Sequence, residues 1–530
     1  MRLAFLYPPS LPPTSPPCGI SYLKAFLGTG RAFDLNLRYH QTAVTMLIEG
    51  RLPVEAEIKG YVLEPEHLKK AVDFLKKNNN FYDQAEYNRN ATIFLQYFNK
   101  IDVYMREECM KHFFEDSAAD EVVHFFDHLL HPVIAYHPDV VGFSHMIFSQ
   151  RDFILALAHH LKREDISIIV GGASLSSTPE SYLSPVGARI KKDLSKIFDV
   201  AFYGEGELPL KAYLEEESIE KIPNSVYKKG EIIKNKETGV KNLDELPPPD
   251  YTDFPLTEYY TPEPVLSLLT SRGCYWRRCT FCIHHKSYYT YRTRSVEKVI
   301  DDIKELQKKY NVNYFLFADE MIHPNRFSQL SSEITKEGLN IRCYSEAKPT
   351  KEFTADHFKN MYTAGVRALL WGVESGTQRI LDLIDKGTNI RDIEQVLKKS
   401  CEAGIWNMIF MIIGYPTQTE QEVNQDITFL QKNEPYIYTF AKSLFQLEVG
   451  SRICENPEQF RIARVEKNPD PFSSICWYAV SEGLLNKEAA LIYGNHPELS
   501  NLSKISPHFG KLRDHMLLFA DHVSKNPLKD

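Results

Sequence analysis

The chain has 530 residues, too many for one ordinary core, so about three domains are expected. Hydrophobic residues make up 43% and charged residues 25%, a balance that excludes wholesale disorder. The net charge of -8, with Lys and Arg scattered along the chain, argues against a nucleic-acid partner.

Residues 3–7 read as a strand that runs into Pro8, Pro9, Pro12, Pro13, Pro16 and Pro17, so the N-terminus does not form a signal peptide. No stretch reaches the roughly 18 uncharged apolar residues of a membrane span. The expected location is the cytoplasm, with no membrane partner. A helix around 20–27 and a strand end at 33–36 follow. Residues 41–130 are polar and helix-prone, with Leu68, Val72 and Leu75 at helical spacing, and read as a helical insertion. Strand patterns resume at 140–144, 166–170 and 200–203, with an amphipathic stretch at 152–162. Alternating strand and helix predict a doubly wound, Rossmann-like parallel sheet over residues 1–245.

The run Leu246-Pro-Pro-Pro-Asp250 fixes an extended backbone and lacks amide donors, which predicts a linker over 246–262. From 263 to 449 strands are expected near 265–270, 314–318, 340–345, 367–373, 407–413 and 438–446. Ser295 is placed to cap a helix with Val296, Val299, Ile300, Ile303 and Leu306 on one face, while Gly338, Gly365 and Gly404 each end a helix before the next strand. Six such units predict an α/β fold of the partial (β/α)6, TIM-like barrel kind, whose working loops lie at the C-terminal ends of the strands. Residues 450–530 are less periodic and read as a small, mostly helical C-terminal cap.

Six of the nine cysteines stand far apart, which suits buried thiols in a reducing compartment. The other three, Cys274, Cys279 and Cys282, form a Cys-x4-Cys-x2-Cys run just after the first barrel strand. Thiolates are soft ligands that suit an iron–sulfur cluster or zinc. A cubane held by three thiolates leaves one iron open to a substrate. Zinc is the competing reading, because His284 could complete a Cys3His set, although structural zinc sites usually split their ligands between two separated turns. A purely electron-transferring cluster would want a fourth nearby cysteine.

The loop resembles that of the radical S-adenosylmethionine (SAM) superfamily, with Phe281 at the aromatic position before the last cysteine. Its extra residue, in the form Gly-Cys-Tyr-Trp-x-x-Cys-x-Phe-Cys, is similar to a subset of cobalamin-dependent members. By this resemblance Cys274, Cys279 and Cys282 hold a [4Fe-4S] cluster. Asp319 and Glu320 resemble the turn that receives the SAM amino group, and Lys348 stands where many relatives have an Arg that meets the SAM carboxylate. Glu374 and Ser375 are similar to the fourth-strand motif near the SAM ribose, and Ile412 and Gly414 look like the fifth-strand element packing on adenine.

The first domain resembles the cobalamin-binding domain that precedes the barrel in one large radical SAM class. The matching residues are Tyr7 and Pro8, Cys18 and Gly19, Asn36, Ser144, Gly171 and Gly172, and Gly204 and Glu205. Asn36 stands where other cobalamin proteins carry an axial His, so the resemblance implies cobalamin bound with its own base displaced. The implied activity is reductive cleavage of SAM to a 5′-deoxyadenosyl radical and methylation of an unactivated carbon in a peptide or small-molecule substrate. A flavodoxin- or ferredoxin-type donor would supply the low-potential electron. A radical cyclase or rearrangement enzyme, with cobalamin or a relic domain, and a non-catalytic Fe–S or zinc module are the alternatives.

Overall fold

Leu3, Ala4, Phe5 and Leu6 are at most 2% exposed, as an apolar strand buried on both faces of a parallel sheet requires. In this computed structural model, which describes residues 1–77, 79–162, 166–187, 191–496 and 503–525, they belong to the first of two compact units. Strand β1 (Leu3–Tyr7) leads to α1 (Cys18–Leu27), β2 (Arg31–Asp34) and α2 (Leu35–Ile48). The Asp34 carboxylate caps α2 by accepting from the Leu37 amide at 2.9 Å, which turns strand into helix without a loop. A hairpin of β3 (Ala56–Ile58) and β4 (Tyr61–Leu63) precedes α3 (Pro65–Leu75), the long α4 (Gln84–Glu115) and α5 (Asp120–Ile134). The polar region from 41 onward is thus helical apart from this hairpin.

The sheet resumes with β5 (Val140–Ser144), α6 (Gln150–Leu161) and β6 (Ser167–Gly171), then a short pair β7 (Pro185–Val186) and β8 (Lys192–Asp193). It ends with β9 (Val200–Phe202), α7 (Glu207–Leu214), β10 (Ser225–Lys229) and β11 (Glu231–Lys234). The strand order is β11-β10-β9-β6-β5-β1-β2, parallel from β9 to β2 and antiparallel at β10 and β11. The order reverses at β1 and β5, which makes their C-terminal ends the switch-point crevice of a doubly wound sheet.

Residues 246–262, expected as a linker, pack within the first unit. Tyr251, Tyr259 and Tyr260 are at most 1% exposed, and Tyr259 donates to Asp34 at 2.6 Å within the first unit. Three tyrosines supply apolar bulk that outweighs the extended preference of the prolines before them.

The second unit holds six parallel strands in the order β12 (Val265–Leu268), β15 (Tyr314–Phe317), β16 (Arg342–Ala347), β17 (Val366–Glu374), β18 (Trp406–Ile413) and β19 (Thr439–Leu444). Between β12 and β15 lie the short strands β13 (Ser271–Arg272) and β14 (Arg292–Thr293) and helix α8 (Val296–Tyr310). Ser295 caps α8, its hydroxyl accepting from the Lys298 amide at 3.1 Å. Helices α9 (Pro324–Lys336), α10 (Ala355–Thr363), α11 (Gln378–Ile384), α12 (Ile390–Glu402) and α13 (Glu420–Asn433) alternate with the remaining strands. Gly365, at φ +102°, leads α10 into β17, where an added Cβ would sit 2.0 Å from the Ile341 carbonyl oxygen.

The C-terminal cap carries a small sheet as well as helices. Strands β20 (Leu447–Glu448), β21 (Ile462–Lys467) and β22 (Ile475–Val480) form an antiparallel sheet in the order β20-β22-β21, beside α14 (Arg452–Glu455), α15 (Asn486–Asn495) and α16 (Arg513–Lys525). The aromatic and β-branched run Ile475-Cys-Trp-Tyr-Ala-Val480 favours a pleated strand once its partners are present. Residues Asp470–Ser473 belong instead to the first unit, where Phe472 packs on Tyr182 at a ring separation of 4.7 Å. Helix α16 binds the barrel through alternate residues of β16: Arg342 donates to Asp521 at 2.6 Å, Tyr344 to Asp514 at 2.8 Å, and Glu346 accepts from Arg513 at 3.0 Å. Among the described residues no helix is long and apolar enough to cross a membrane.

Candidate functional site

The cysteine loop leaves the C-terminal end of β12 and is closed at its base by β13 and β14, which pair Ser271 with Thr293 and Arg272 with Arg292. Asp319, beyond β15, accepts from the Thr270 amide at 3.1 Å, from the Thr270 hydroxyl at 3.0 Å and from the Ser271 hydroxyl at 2.5 Å. Burial raises its pKa against these bonds. Both oxygens are therefore bonded to the root of the loop.

Farther along, Thr280 is held on three sides. Its amide donates to the Ile384 carbonyl at 2.8 Å, its carbonyl accepts from the Ile453 amide at 2.9 Å, and its hydroxyl meets the Tyr415 hydroxyl at 2.7 Å. Cys279 and Phe281 pack against a core that includes Ile384, Ile412, Tyr415, Phe445 and Ile453. The C-terminal segment thus supports the loop directly.

The Cys282 sulfur accepts from the His284 amide at 3.4 Å, a bond that favours a thiolate. Burial, the largest cause, pushes the Cys279 thiol up and the Cys282 thiol up to about 12. The His284 ring is paired with Glu320, which pushes the imidazole up to about 9, and is engaged by a carboxylate rather than offered to zinc. Among the described residues no three His, Cys, Asp or Glu side chains gather at the spacing of a single metal ion. Three thiols on one supported loop, without a fourth protein ligand, fit a cubane with one open corner.

Beside Phe281 and Cys282 lies a cavity of about 190 Å³, walled by Ile412, Leu444, Phe445 and Glu448. It has the mixed lining, apolar walls with a few polar groups, that a nucleoside base needs. Gly414, at φ +78°, does not reach it: an added Cβ there would sit 2.6 Å from the Ala489 Cβ, so this glycine admits α15.

At the end of β17 the pairing with β18 shifts register between Gly372 and Glu374, and Glu374 takes φ +69°. This aims its carboxylate at Lys386, whose ammonium donates to it at 2.6 Å; the two residues are 8% and 3% exposed. Burial opposes the Lys386 charge, but Glu374 and the adjoining Cys279 and Cys282 hold its pKa above the ordinary lysine range. Lys348, 1% exposed, places its ammonium 3.1 Å from the centre of the Trp276 ring, and burial followed by Lys386 lowers it to about 8.

Ser375 turns away from this group and donates to Asp426 of α13 at 2.7 Å. Asp426 also accepts from the Gly376 amide at 2.6 Å and from Gln418 at 2.8 Å, and Gln418 in turn accepts from the Gly414 amide at 2.7 Å. Sequence reasoning missed both Asp426, which ties the fourth and fifth strand ends together, and Trp276. A carboxylate on the buried face of α13 was the available signal for the first.

In the first unit, Tyr7 and Pro8 end β1 and Ser144 ends β5. Gln150 joins the two ends, donating to the Pro8 carbonyl at 2.8 Å and accepting from the Met146 and Ile147 amides at 2.8 and 3.3 Å. Met146, Ile147 and Phe148 stay 40%, 37% and 45% exposed at this crevice. Cys18 and Gly19 open α1, and Gly19 has open space where a Cβ would be. Gly171 abuts the Phe202 carbonyl.

Four of the expected residues also meet other parts of the protein. The Asn36 amide closes on Leu11, bonding its backbone amide and carbonyl at 2.9 Å each. Gly172 gives its space to the His145 carbonyl, 2.4 Å from an added Cβ. Glu205, 4% exposed, lies against Gly239, while Gly204 takes φ +66° beside Glu237. In each case the local sequence could not reveal a distant backbone already filling the space. His145 itself is 2% exposed, with Tyr182 at 3.1 Å from Nδ1, and burial lowers its pKa to about 3.

The three-cysteine loop thus follows the first strand of a six-stranded parallel sheet whose strands alternate with helices. Residues 268–430 match the family model described as Radical SAM superfamily, a domain that implies a [4Fe-4S] cluster and SAM. The chain is 26% identical over 328 residues, 60% of this chain and 69% of the relative, to a protein of Pyrococcus horikoshii named "Uncharacterized methyltransferase PH0819". Its fold is similar to that of the radical SAM methyltransferase TsrM from Kitasatospora setae, with a TM-score of 0.57, 17% identity, and 98% and 89% of the two chains covered. It is also similar to the cobalamin-dependent radical SAM enzyme OxsB, with a TM-score of 0.56, 19% identity, and 76% and 67% covered.

Proposed function

We propose that this protein is a cobalamin-dependent radical SAM methyltransferase acting on an unactivated carbon of a peptide or small molecule. The observation that carries the reading is the supported three-thiol loop beside the Phe281–Ile412 cavity, in a chain whose N-terminal unit has a doubly wound sheet. Cys274, Cys279 and Cys282 would hold the cluster, leaving one iron for the amino and carboxylate groups of SAM. When bound, the cluster and SAM supply an organic radical, and cobalamin supplies the methyl group.

The chain's own residues position these groups. Phe281 and Ile412 would flank the adenine, the Glu374–Lys386 pair would stand near the ribose, Glu320 would meet the amino group, and Lys348 would supply a cation for the carboxylate. In the first unit, the apolar Met146–Phe148 loop and the small residues at the strand ends fit the flat face of a corrin, with Gln150 fixing the loop. An external flavodoxin- or ferredoxin-type donor provides the electron.

Anaerobic preparation with iron, sulfide and cobalamin tests the reading. Cobalamin should remain bound through gel filtration, and label from methyl-labelled SAM should appear as a new carbon–methyl bond in a product formed from a peptide or small-molecule pool. Protein that loads iron and sulfide but retains no cobalamin would sink the cobalamin claim.

A further inference from the structure

The Cys-x4-Cys spacing has a structural use. The segment between Cys274 and Cys279 turns through Arg277 at φ +53° and lays the Trp276 ring against the loop that follows α11. The indole Nε1 donates to the Asp385 carbonyl at 2.7 Å. Gly387, at φ +65°, leaves room for the ring: a Cβ there would lie 2.2 Å from it. Asp385 is itself held by Arg278 at 3.0 Å and Arg452 at 3.1 Å. The ring is therefore fixed before any ligand arrives.

Lys348 occupies this platform, its ammonium 3.1 Å from the ring centre, with the Arg278 guanidinium 4.9 Å from the same centre. Lys348 is 1% exposed and forms no ion pair among the described residues, whereas neighbouring Lys386 is taken by Glu374 at 2.6 Å. A buried ammonium stabilised only by a π face has unused donors and favours an anion. An unbranched lysine also needs external support to hold one direction, unlike the planar fork of an arginine.

We propose that Trp276 is a positioning residue whose ring holds the Lys348 ammonium ready for the carboxylate of SAM. The inference rests on the reading of Lys348 as the carboxylate partner. It makes the longer cysteine spacing and the lysine two halves of one device, in which the tryptophan compensates for the missing guanidinium.

The test measures dissociation constants of cluster-loaded protein for SAM and for decarboxylated SAM, after confirming equal iron and sulfide content. Wild type should prefer SAM by about tenfold or more, the range of a charge-assisted hydrogen bond. Lys348→Met should shrink the preference by about tenfold, leaving the part that the iron–carboxylate bond supplies, and a preference unchanged in this variant would overturn the carboxylate role of Lys348. Trp276→Leu should cut it by about threefold or more, Trp276→Phe should keep most of it, and the Trp276→Leu/Lys348→Met double variant should match Lys348→Met alone. Should Trp276→Leu lose the cluster, graded fluorination of the tryptophans replaces it: the preference should fall stepwise as the ring face loses electron density.

Equal affinity of wild type for the two ligands would overturn the carboxylate role of Lys348. A preference reduced in Lys348→Met but unchanged in Trp276→Leu or on fluorination would overturn the proposal for Trp276 and leave that role standing.

Discussion

Replacing Glu374 by Gln removes the negative half of a buried ion pair while nearly preserving shape. At 8% and 3% exposure and 2.6 Å separation the pair is shielded from solvent, so the modest range of surface salt bridges does not apply. Leaving a buried ammonium without its carboxylate typically costs about 3–5 kcal/mol. Gly372 offers no side chain to absorb the change, since Lys386 Nζ lies 2.6 Å from where its Cβ would be. All four tryptophans (276, 371, 406 and 477) lie in the barrel unit, so urea unfolding followed by tryptophan fluorescence of the full-length, metal-free chain reads that unit selectively.

The pH dependence is part of the same prediction. In wild type the raised Lys386 pKa means its contribution is complete below the ordinary lysine value and lost only in strong alkali, giving no change between pH 6 and 9 through this group. In Glu374→Gln burial acts without its largest opposing charge and should lower that pKa. The penalty should therefore be largest near pH 6 and shrink as pH rises toward about 10, the ordinary lysine value. A Glu374→Gln/Lys386→Met double variant should recover most of the loss. A cost below about 1 kcal/mol, or one that stays constant from pH 6 to 9, would refute the buried-pair argument.

Two other sites give independent outcomes. Asp426 is pushed up to about 6 by burial, above its ordinary value, so its stabilising contribution is complete below about pH 4 and is lost as pH rises through 6. The protection factor of the Gly376 amide, which donates to Asp426, should fall across that interval and lose this pH step in Asp426→Ala. Gly387→Ala combines a φ of +65° with a Cβ 2.2 Å from the Trp276 ring, and should lower barrel stability by about 1–3 kcal/mol and change tryptophan emission. Unchanged emission would mean that the ring does not occupy that space.

The parts of the fold that were legible are those with local signatures. Short apolar runs marked β17 and β18, an apolar face of period 3.6 marked α8, and Gly365 marked a turn because only a residue without Cβ clears the Ile341 carbonyl. The cysteine spacing was equally local. Long-range commitments were not legible. Asp319 and Asn36 sit in motif-like positions, yet backbone groups at Thr270 and Leu11 take their side chains. The Asp426 hub joins strand ends through a helix some 50 residues away, and its amphipathic pattern carries no record of which loops it will meet. The C-terminal sheet escaped because β20 contributes only two residues, too few for a periodic pattern.

The most direct test of the central claim is the formation of 5′-deoxyadenosine from SAM by anaerobically reconstituted protein supplied with a low-potential reductant. The account predicts iron and sulfide bound through Cys274, Cys279 and Cys282, 5′-deoxyadenosine accumulating only when reductant is present, and none from a Cys282→Ala variant. Zinc in place of iron, or a fully loaded and reduced cluster that leaves SAM intact, would contradict it.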